Sequence, residues 1–283
     1  MILNIKLRPW SGVRSLGWLG WGAAGLFLLF GEGGLEMPSG YAGRPFATED
    51  AGVAGRWVFQ LEEGIQYADK NQDEEFSLTT TPILGLTDRL EVSADFPASF
   101  LRPEEGKNVE GWSDISLITK TQIFPEKEFI PAALLKIVVK FANGNEAKGL
   151  GSGDEDVQLV GVVSKMIKNL TVHGNAGYAF VGDDKDEALR DYLIYGVASE
   201  YKLSDRWKVA GELYGEKGGH FDADASNHHR LNPLVGLTFQ VSPNVLLDLA
   251  WRAGLTNNEK PEQAVIAGLS ISFDHFWKKK AKR

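Results

Sequence analysis

The stretch Gln263–Phe273 alternates between two classes of side chain, and this alternation constrains the fold more than any other feature of the chain. Every odd-numbered position from Val265 to Phe273 is apolar, whereas the even-numbered positions from Ala264 to Ser272 are mostly small or polar. Successive side chains of a β-strand point to opposite faces, so the pattern predicts a strand with one apolar face. In a soluble sandwich that face would point to the core. In a transmembrane barrel it would contact lipid, while the other face lines the lumen.

Short and long polar connections alternate along the rest of the chain. The short ones suit hairpin turns and lie at Thr87–Arg89, Pro125–Glu128, Lys168–Asn169, Ser204–Arg206 and Ser242–Asn244. The longer ones lie at Asp69–Glu74, Arg102–Glu110, Asn143–Asp154, Gly182–Glu187, Gly218–His228 and Thr256–Glu262. This alternation is typical of an up-and-down barrel with tight periplasmic turns and longer outer loops.

The connections divide residues 57–274 into about twelve predicted strands, the even number expected of a bacterial barrel. Their predicted bounds are 57–68, 75–86, 90–100, 111–124, 130–142, 155–167, 170–181, 189–203, 206–217, 229–241, 245–255 and 262–274. Most are longer than the ~5–6 residues usual in a soluble sheet and match the ~9–11 needed to cross a bilayer. We therefore predict a transmembrane antiparallel β-barrel, with a soluble β-sandwich as the alternative.

Charged residues fix which face of each strand points inward. A basic side chain facing lipid near the midplane costs roughly 2–4 kcal/mol, so the charges are expected in the lumen. The predicted lumen-lining residues are Glu91, Asp95, Asp114, Lys120, Lys136, Lys140, His173, Lys208, Glu212, Asp248 and Arg252. They could line a path for a small solute, or they could pair with one another and fill the barrel. Glu63 falls on the lipid face and is expected near the outer rim.

Composition excludes several other classes of protein. With 24% charged residues, the chain is too polar to be a multi-helix membrane protein. The same charged fraction is compatible with a barrel, because only every second residue of each strand needs to be apolar. The absence of cysteine excludes a disulfide scaffold and thiol catalysis. The net charge of −8 argues against a nucleic-acid partner. No motif for a cofactor or a phosphate-binding loop is present.

The N-terminus has the pattern of an export signal. Basic residues from Lys6 to Arg14 precede the apolar run Leu16–Phe30, and small residues at Gly40 and Ala42 suit a signal peptidase. We expect residues 1–42 to be a signal peptide cleaved after Ala42. A retained membrane anchor is the alternative, but the run is shorter than the ~20 residues of a spanning helix and contains glycine.

The last strand also resembles the C-terminal assembly signal of bacterial outer-membrane proteins. Gly268, Ile271 and Phe273 carry this resemblance, which implies recognition by the barrel-assembly machinery. Two features depart from the signal. Ile266 stands where a polar residue is usual, and a basic tail at 275–283, predicted to be periplasmic, follows the strand.

A second resemblance begins before the first strand. The lead-in Arg44–Gly52 reads Arg-Pro-aromatic-x-Thr-x-Asp-x-Gly, and the strand that opens at Trp57 continues as Phe-Gln-Leu-Glu at 59–62. Together with the strand layout, this resembles the outer-membrane transporters grouped with the meta-pathway of phenol degradation. The resemblance implies an outer-membrane location, contact with outer-membrane lipid and uptake of small solutes, aromatic or hydrophobic ones among them. We place residues 43–56 in the periplasm, and a merely flexible leader is the alternative.

Two other functions remain open at this point. One is a non-conducting structural or adhesin-like barrel, and the other is a lipid hydrolase with a Ser–His pair. His173 is the only histidine predicted in the interior of a strand, and no serine is obviously placed beside it. The loop Gly218–Arg230 contains histidines and aspartates that could bind a metal, but it lacks the glycine and glutamate of a calcium loop. We expect a solvated acidic loop there and assign no metal site.

Overall fold

The computed structural model describes residues 44–70, 73–182, 191–218, 229–256 and 263–273. The predicted signal peptide, most of the His- and Asp-containing loop and the basic tail lie outside these residues. The described residues form thirteen strands: β1 Phe59–Lys70, β2 Asp73–Gly85, β3 Leu90–Arg102, β4 Val109–Trp112, β5 Ser116–Phe124, β6 Ala132–Lys140, β7 Asp156–Ile167, β8 Leu170–Val181, β9 Tyr192–Lys202, β10 Trp207–Gly218, β11 His229–Ser242, β12 Val245–Ala253 and β13 Gln263–Phe273. A short 3-10 helix spans Glu146–Lys148.

The strands form one closed antiparallel sheet. Apart from β4 and β5, neighbours along the chain pair with each other, and β1 pairs with β13 so that Phe59 lies opposite Phe273 and Asp69 opposite Gln263. β4 and β5 pair with different stretches of β3 and share one position in the wall. The described wall therefore has twelve strand positions, which confirms the predicted transmembrane barrel of about twelve strands. No helix among the described residues is long and apolar enough to span a membrane.

The alternation of the strands determines which side chains face out. In β12, Leu247 and Leu249 are 42% and 55% exposed, whereas Asp248 between them is 5% exposed. The same holds in β13, where Val265 faces out and Ser270 is buried. The apolar residues thus cover the outer surface and the polar residues lie inside, as predicted for a wall surrounded by hydrocarbon.

The predicted single strand 111–124 is wrong, because residues 113–115 interrupt it. Asp114 lies in this interruption and leaves the hydrogen-bonding ladder. Its carboxylate accepts the backbone N–H of Gly144 at 2.7 Å and that of Ser152 at 2.8 Å. These bonds hold the loop between β6 and β7 against the wall. The loop amides need hydrogen-bond acceptors, and by supplying one Asp114 interrupts a stretch that would otherwise continue as a strand.

Glu63 faces outward as predicted, but its expected position near the outer rim is wrong. It lies opposite Thr80 of β2 and Leu269 of β13, nearer the short-turn end of β1 than the loop end. The Thr80 hydroxyl donates a hydrogen bond of 2.8 Å to the Glu63 carboxylate. The register is therefore correct, and a local hydrogen bond compensates this outward carboxyl group in part.

The short turns lie at one rim, and most of the longer connections lie at the other. The predicted long connection Asp69–Glu74 is wrong, because β1 and β2 pair up to Lys70 and Asp73 and only 71–72 lie between them. The turn at Lys168–Asn169 joins β7 to β8 directly, with Lys168 in the left-handed conformation at φ 56°. The turn between β5 and β6 is longer than predicted and runs from 125 to 131. The long connections at 103–108 and 141–155 lie at the opposite rim. We call the two ends of the barrel the short-turn rim and the long-loop rim.

Candidate functional site

The lead-in lies inside the barrel, and its predicted periplasmic position is therefore wrong for the described residues. We call residues 44–55 the lumen segment. Nε of Arg44 lies 3.2 Å from the Asp248 carboxylate, and its guanidinium also donates to the carbonyl of Ala267 at 3.1 Å. Thr48 is buried, and Ala51 is almost completely buried. The polar inner wall offers hydrogen-bond and ion-pair partners to the charges and backbone amides of the segment. In a free leader, the same groups would contact only water.

Glycines of the inner wall make room for this segment. A Cβ atom at Gly64 or Gly268 would collide with the guanidinium group of Arg44. A Cβ atom at Gly196 would collide with the side chain of Thr48. The missing side chains on β1, β9 and β13 thus form a surface that fits the segment closely.

Two wall carboxylates hold the backbone of the lumen segment. Glu212 on β10 accepts the N–H of Ala47 at 3.1 Å and also that of Thr48. On the far side of the lumen segment, Glu91 on β3 accepts the N–H of Ala54 at 2.6 Å. Since a buried amide without a partner is costly, these bonds specify the path of the chain.

A buried ionic cluster holds the middle of the segment. The two Glu49 oxygens lie 3.1 Å from the ammonium nitrogen of Lys120 and 2.8 Å from that of Lys136. Lys120 also pairs with Glu91 at 3.0 Å. Burial favours the neutral acid, but the two ammonium groups outweigh it and hold the pKa of Glu49 well below its usual range.

Apolar contacts supplement these polar ones. Ala51 and Val53 of the lumen segment belong to a small buried cluster with wall residues that include Leu134 of β6 and Val162 of β7. This cluster lies between the segment and one side of the wall. The segment is therefore docked by a mixture of ion pairs, hydrogen bonds and a limited apolar contact.

The remaining predicted lumen residues mostly have partners in the wall. Lys140 pairs with Asp156 and lies 3.9 Å from Asp114. Lys208 pairs with Glu200 at 3.0 Å. The predicted residue Asp95 accepts the hydroxyl of Thr81 at 2.6 Å. Glu200 was not among the predicted residues, although the alternation of β9 that leads to Lys202 also points it inward.

His173 has a serine beside it, contrary to the sequence interpretation. Ser164 lies directly opposite His173, with 2.8 Å between the hydroxyl oxygen and Nδ1. The same hydroxyl accepts the N–H of Ala51, also at 2.8 Å. The turn at Lys168–Asn169 fixes the register of β7 on β8, and that register alone would have revealed the pair.

A cavity of about 250 Å³ remains between the lumen segment and the wall. Ala47 of the segment contributes to its lining, and β10, β11 and β12 supply Glu216, Arg230 and Arg252. Arg252, the last of the predicted lumen residues, therefore borders open space. The part of the chain that the structure describes contains no group of three or more His, Asp or Glu side chains that could hold a metal ion.

The closed wall, the apolar exterior and the polar interior define a transmembrane β-barrel of the outer-membrane type, with its own N-terminal segment docked in the lumen. A family model described as "Putative MetA-pathway of phenol degradation" matches residues 42–273. The chain belongs to this family.

Solved structures share the fold. An outer membrane channel from Pseudomonas putida F1 superposes with a TM-score of 0.57 at 16% identity, covering 76% of this chain and 94% of that one. The KdgM porin, solved in complex with disordered oligogalacturonate, superposes with a TM-score of 0.52 at 9% identity, covering 76% of this chain and 99% of that one. No curated protein sequence matches the chain. At these identities the comparisons establish the barrel architecture.

Proposed function

We propose that the protein is a channel of the bacterial outer membrane for small solutes, and that the lumen segment closes it. The observation that carries the proposal is the docked segment: contacts with Asp248, Glu212 and Lys136 hold it inside a wall that is complete without it. Polar contacts of this kind exchange readily for contacts with water, unlike a packed apolar core. A segment held in this way can leave the lumen while the barrel stays intact.

Small aromatic compounds are the solutes that we propose. The support is membership of a family described by phenol degradation, together with a barrel fold shared with solved channels and porins. The cavity of about 250 Å³ beside the segment has room for a single-ring molecule. In this proposal the short-turn rim faces the periplasm and the long-loop rim faces outside.

Swelling of liposomes that contain the purified protein tests the channel function. We expect single-ring solutes to enter vesicles with the protein faster than protein-free vesicles, and the variant Glu49→Gln to permit faster entry because it removes the carboxylate between Lys120 and Lys136. If neither protein admits any small solute, the channel function is wrong and a structural barrel is favoured.

The Ser164–His173 pair receives no catalytic role in this proposal. The Ser164 residue is 9% exposed and its hydroxyl is engaged by the backbone of Ala51, so a lipid ester has no route to it while the segment is docked. Lipid turnover by the purified protein that disappears in Ser164→Ala would assign the barrel to the hydrolases instead.

A further inference from the structure

Two lysines face each other inside the lumen. Lys120 on β5 and Lys136 on β6 are directly opposite in the register, and Lys120 is buried. Like charges in this arrangement repel one another, and burial increases the cost. The position therefore requires compensating negative charge.

The wall supplies only part of that compensation. Glu91 on β3 pairs with Lys120 at 3.0 Å. For Lys136, the only carboxylate within ion-pair distance in the described ranges belongs to Glu49 of the lumen segment. Glu49 directs one oxygen to each ammonium group, as a ligand carboxylate would.

Other charges of the inner wall do not replace Glu49. Further along β6, Lys140 has its own partners in Asp156 and Asp114. Glu62 faces inward on β1, three wall positions from β5, and interacts electrostatically with Lys120. It forms no ion pair with either lysine of the cluster within the described residues. When the segment leaves, Lys136 therefore has no carboxylate within ion-pair distance among the described residues.

We infer that Lys120 and Lys136 form a binding site for the carboxylate of a small solute, and that Glu49 occupies this site in the closed channel. The inference rests on the proposed channel function and adds a solute class to it: small organic acids, such as single-ring carboxylates. A solute anion and Glu49 compete for the same two ammonium groups. The solute that the channel passes thus favours the open state.

Planar-bilayer recordings of full-length protein test the site with benzoate as the probe. The variants are Glu49→Gln, the double variant Glu49→Gln with Lys136→Gln, and Glu110→Gln as a matched control at an exposed position of β4. Heat-dependent gel mobility of each protein verifies that the barrel has formed.

In a potassium chloride gradient, we expect Glu49→Gln to open more often than the wild type and its reversal potential to shift toward that of chloride. The double variant should lose this shift, and Glu110→Gln should behave as the wild type. Benzoate should block Glu49→Gln more strongly than neutral benzyl alcohol does. Its half-blocking concentration should rise at least about tenfold in the double variant, because a charge-assisted contact is lost.

Two results would overturn the inference. If Glu49→Gln conducts but shows the same ion preference and benzoate block as the double variant, the lysines are not the anion site, although the channel function stands. If none of the proteins conducts or admits solute into liposomes, the channel function fails and the binding site fails with it.

Discussion

At the scale of single residues, Arg44 is the anchor at the start of the described lumen segment. Its guanidinium reaches Asp248 on β12 and the carbonyl of Ala267 on β13, and the Asp248 side chain is fully buried. Removing one partner of a buried ion pair leaves the other charge uncompensated, at a cost of ~3 kcal/mol. Loss of Arg44 therefore favours release of the segment, because release lets water reach the Asp248 carboxylate.

We predict that Arg44→Gln loosens the segment without unfolding the barrel. The chain has no cysteine, so Ala51→Cys reports burial of the segment through its reaction with a water-soluble maleimide. Ala51 is 1% exposed, and the labelling rate should rise at least about tenfold when Arg44→Gln is added.

Arg56→Gln is the matched control for this experiment. Arg56 lies 3.8 Å from Asp88, and both side chains are well exposed, so the labelling rate should not change. Equal labelling of Ala51→Cys with and without Arg44→Gln would show that Arg44 does not hold the segment.

At the scale of strands and loops, period-two alternation predicts most of the structure. The inward position of Asp248 between Leu247 and Leu249 follows from the sequence, because one strand contains the whole pattern. Docking of the lumen segment does not follow, because Arg44 and Asp248 are 204 positions apart and nothing local links them. The lead-in shows no alternation of apolar and polar residues that would indicate its position. Its contacts are made with a wall that forms only when the barrel folds, so they cannot be predicted from nearby sequence.

The interruption at Asp114 is a second feature that alternation misses. Its carboxylate binds the backbone of Gly144 and Ser152, and thereby fixes a loop that is distant in sequence. An aspartate that leaves the strand to bind a loop cannot be distinguished, by residue type alone, from an aspartate that points into the lumen. The predicted lumen-lining role of Asp114 and its structural role therefore look alike in the sequence.

We predict that Asp114→Ala releases the loop at residues 141–155 while the barrel remains folded. Limited trypsin digestion should cleave after Lys148 faster than in the wild type, because the loop loses two backbone anchors. Asp88→Ala at the opposite rim should leave the cleavage rate unchanged. Protection of Lys148 in Asp114→Ala would mean that the 3-10 helix holds the loop by itself.

At the scale of the whole molecule, closure of the sheet determines resistance to unfolding. β1 and β13 pair from Phe59–Phe273 to Asp69–Gln263, and this pairing joins the first and last described strands into a closed wall. We predict that detergent-extracted protein migrates differently on gels before and after boiling. Identical mobility, together with recovery of the protein from the periplasm without detergent, would favour the soluble alternative.

Arg44 touches β12 and β13 near the end of the described chain while lying beside Gly64 of β1 near its start. The pocket for its guanidinium therefore does not exist until the first and last strands have met. Closure of the wall must therefore come before Arg44 reaches its place, because the first and last strands each form part of the pocket. The join between the first and last strands thus serves twice, since it completes the wall and also creates the seat of the segment inside it.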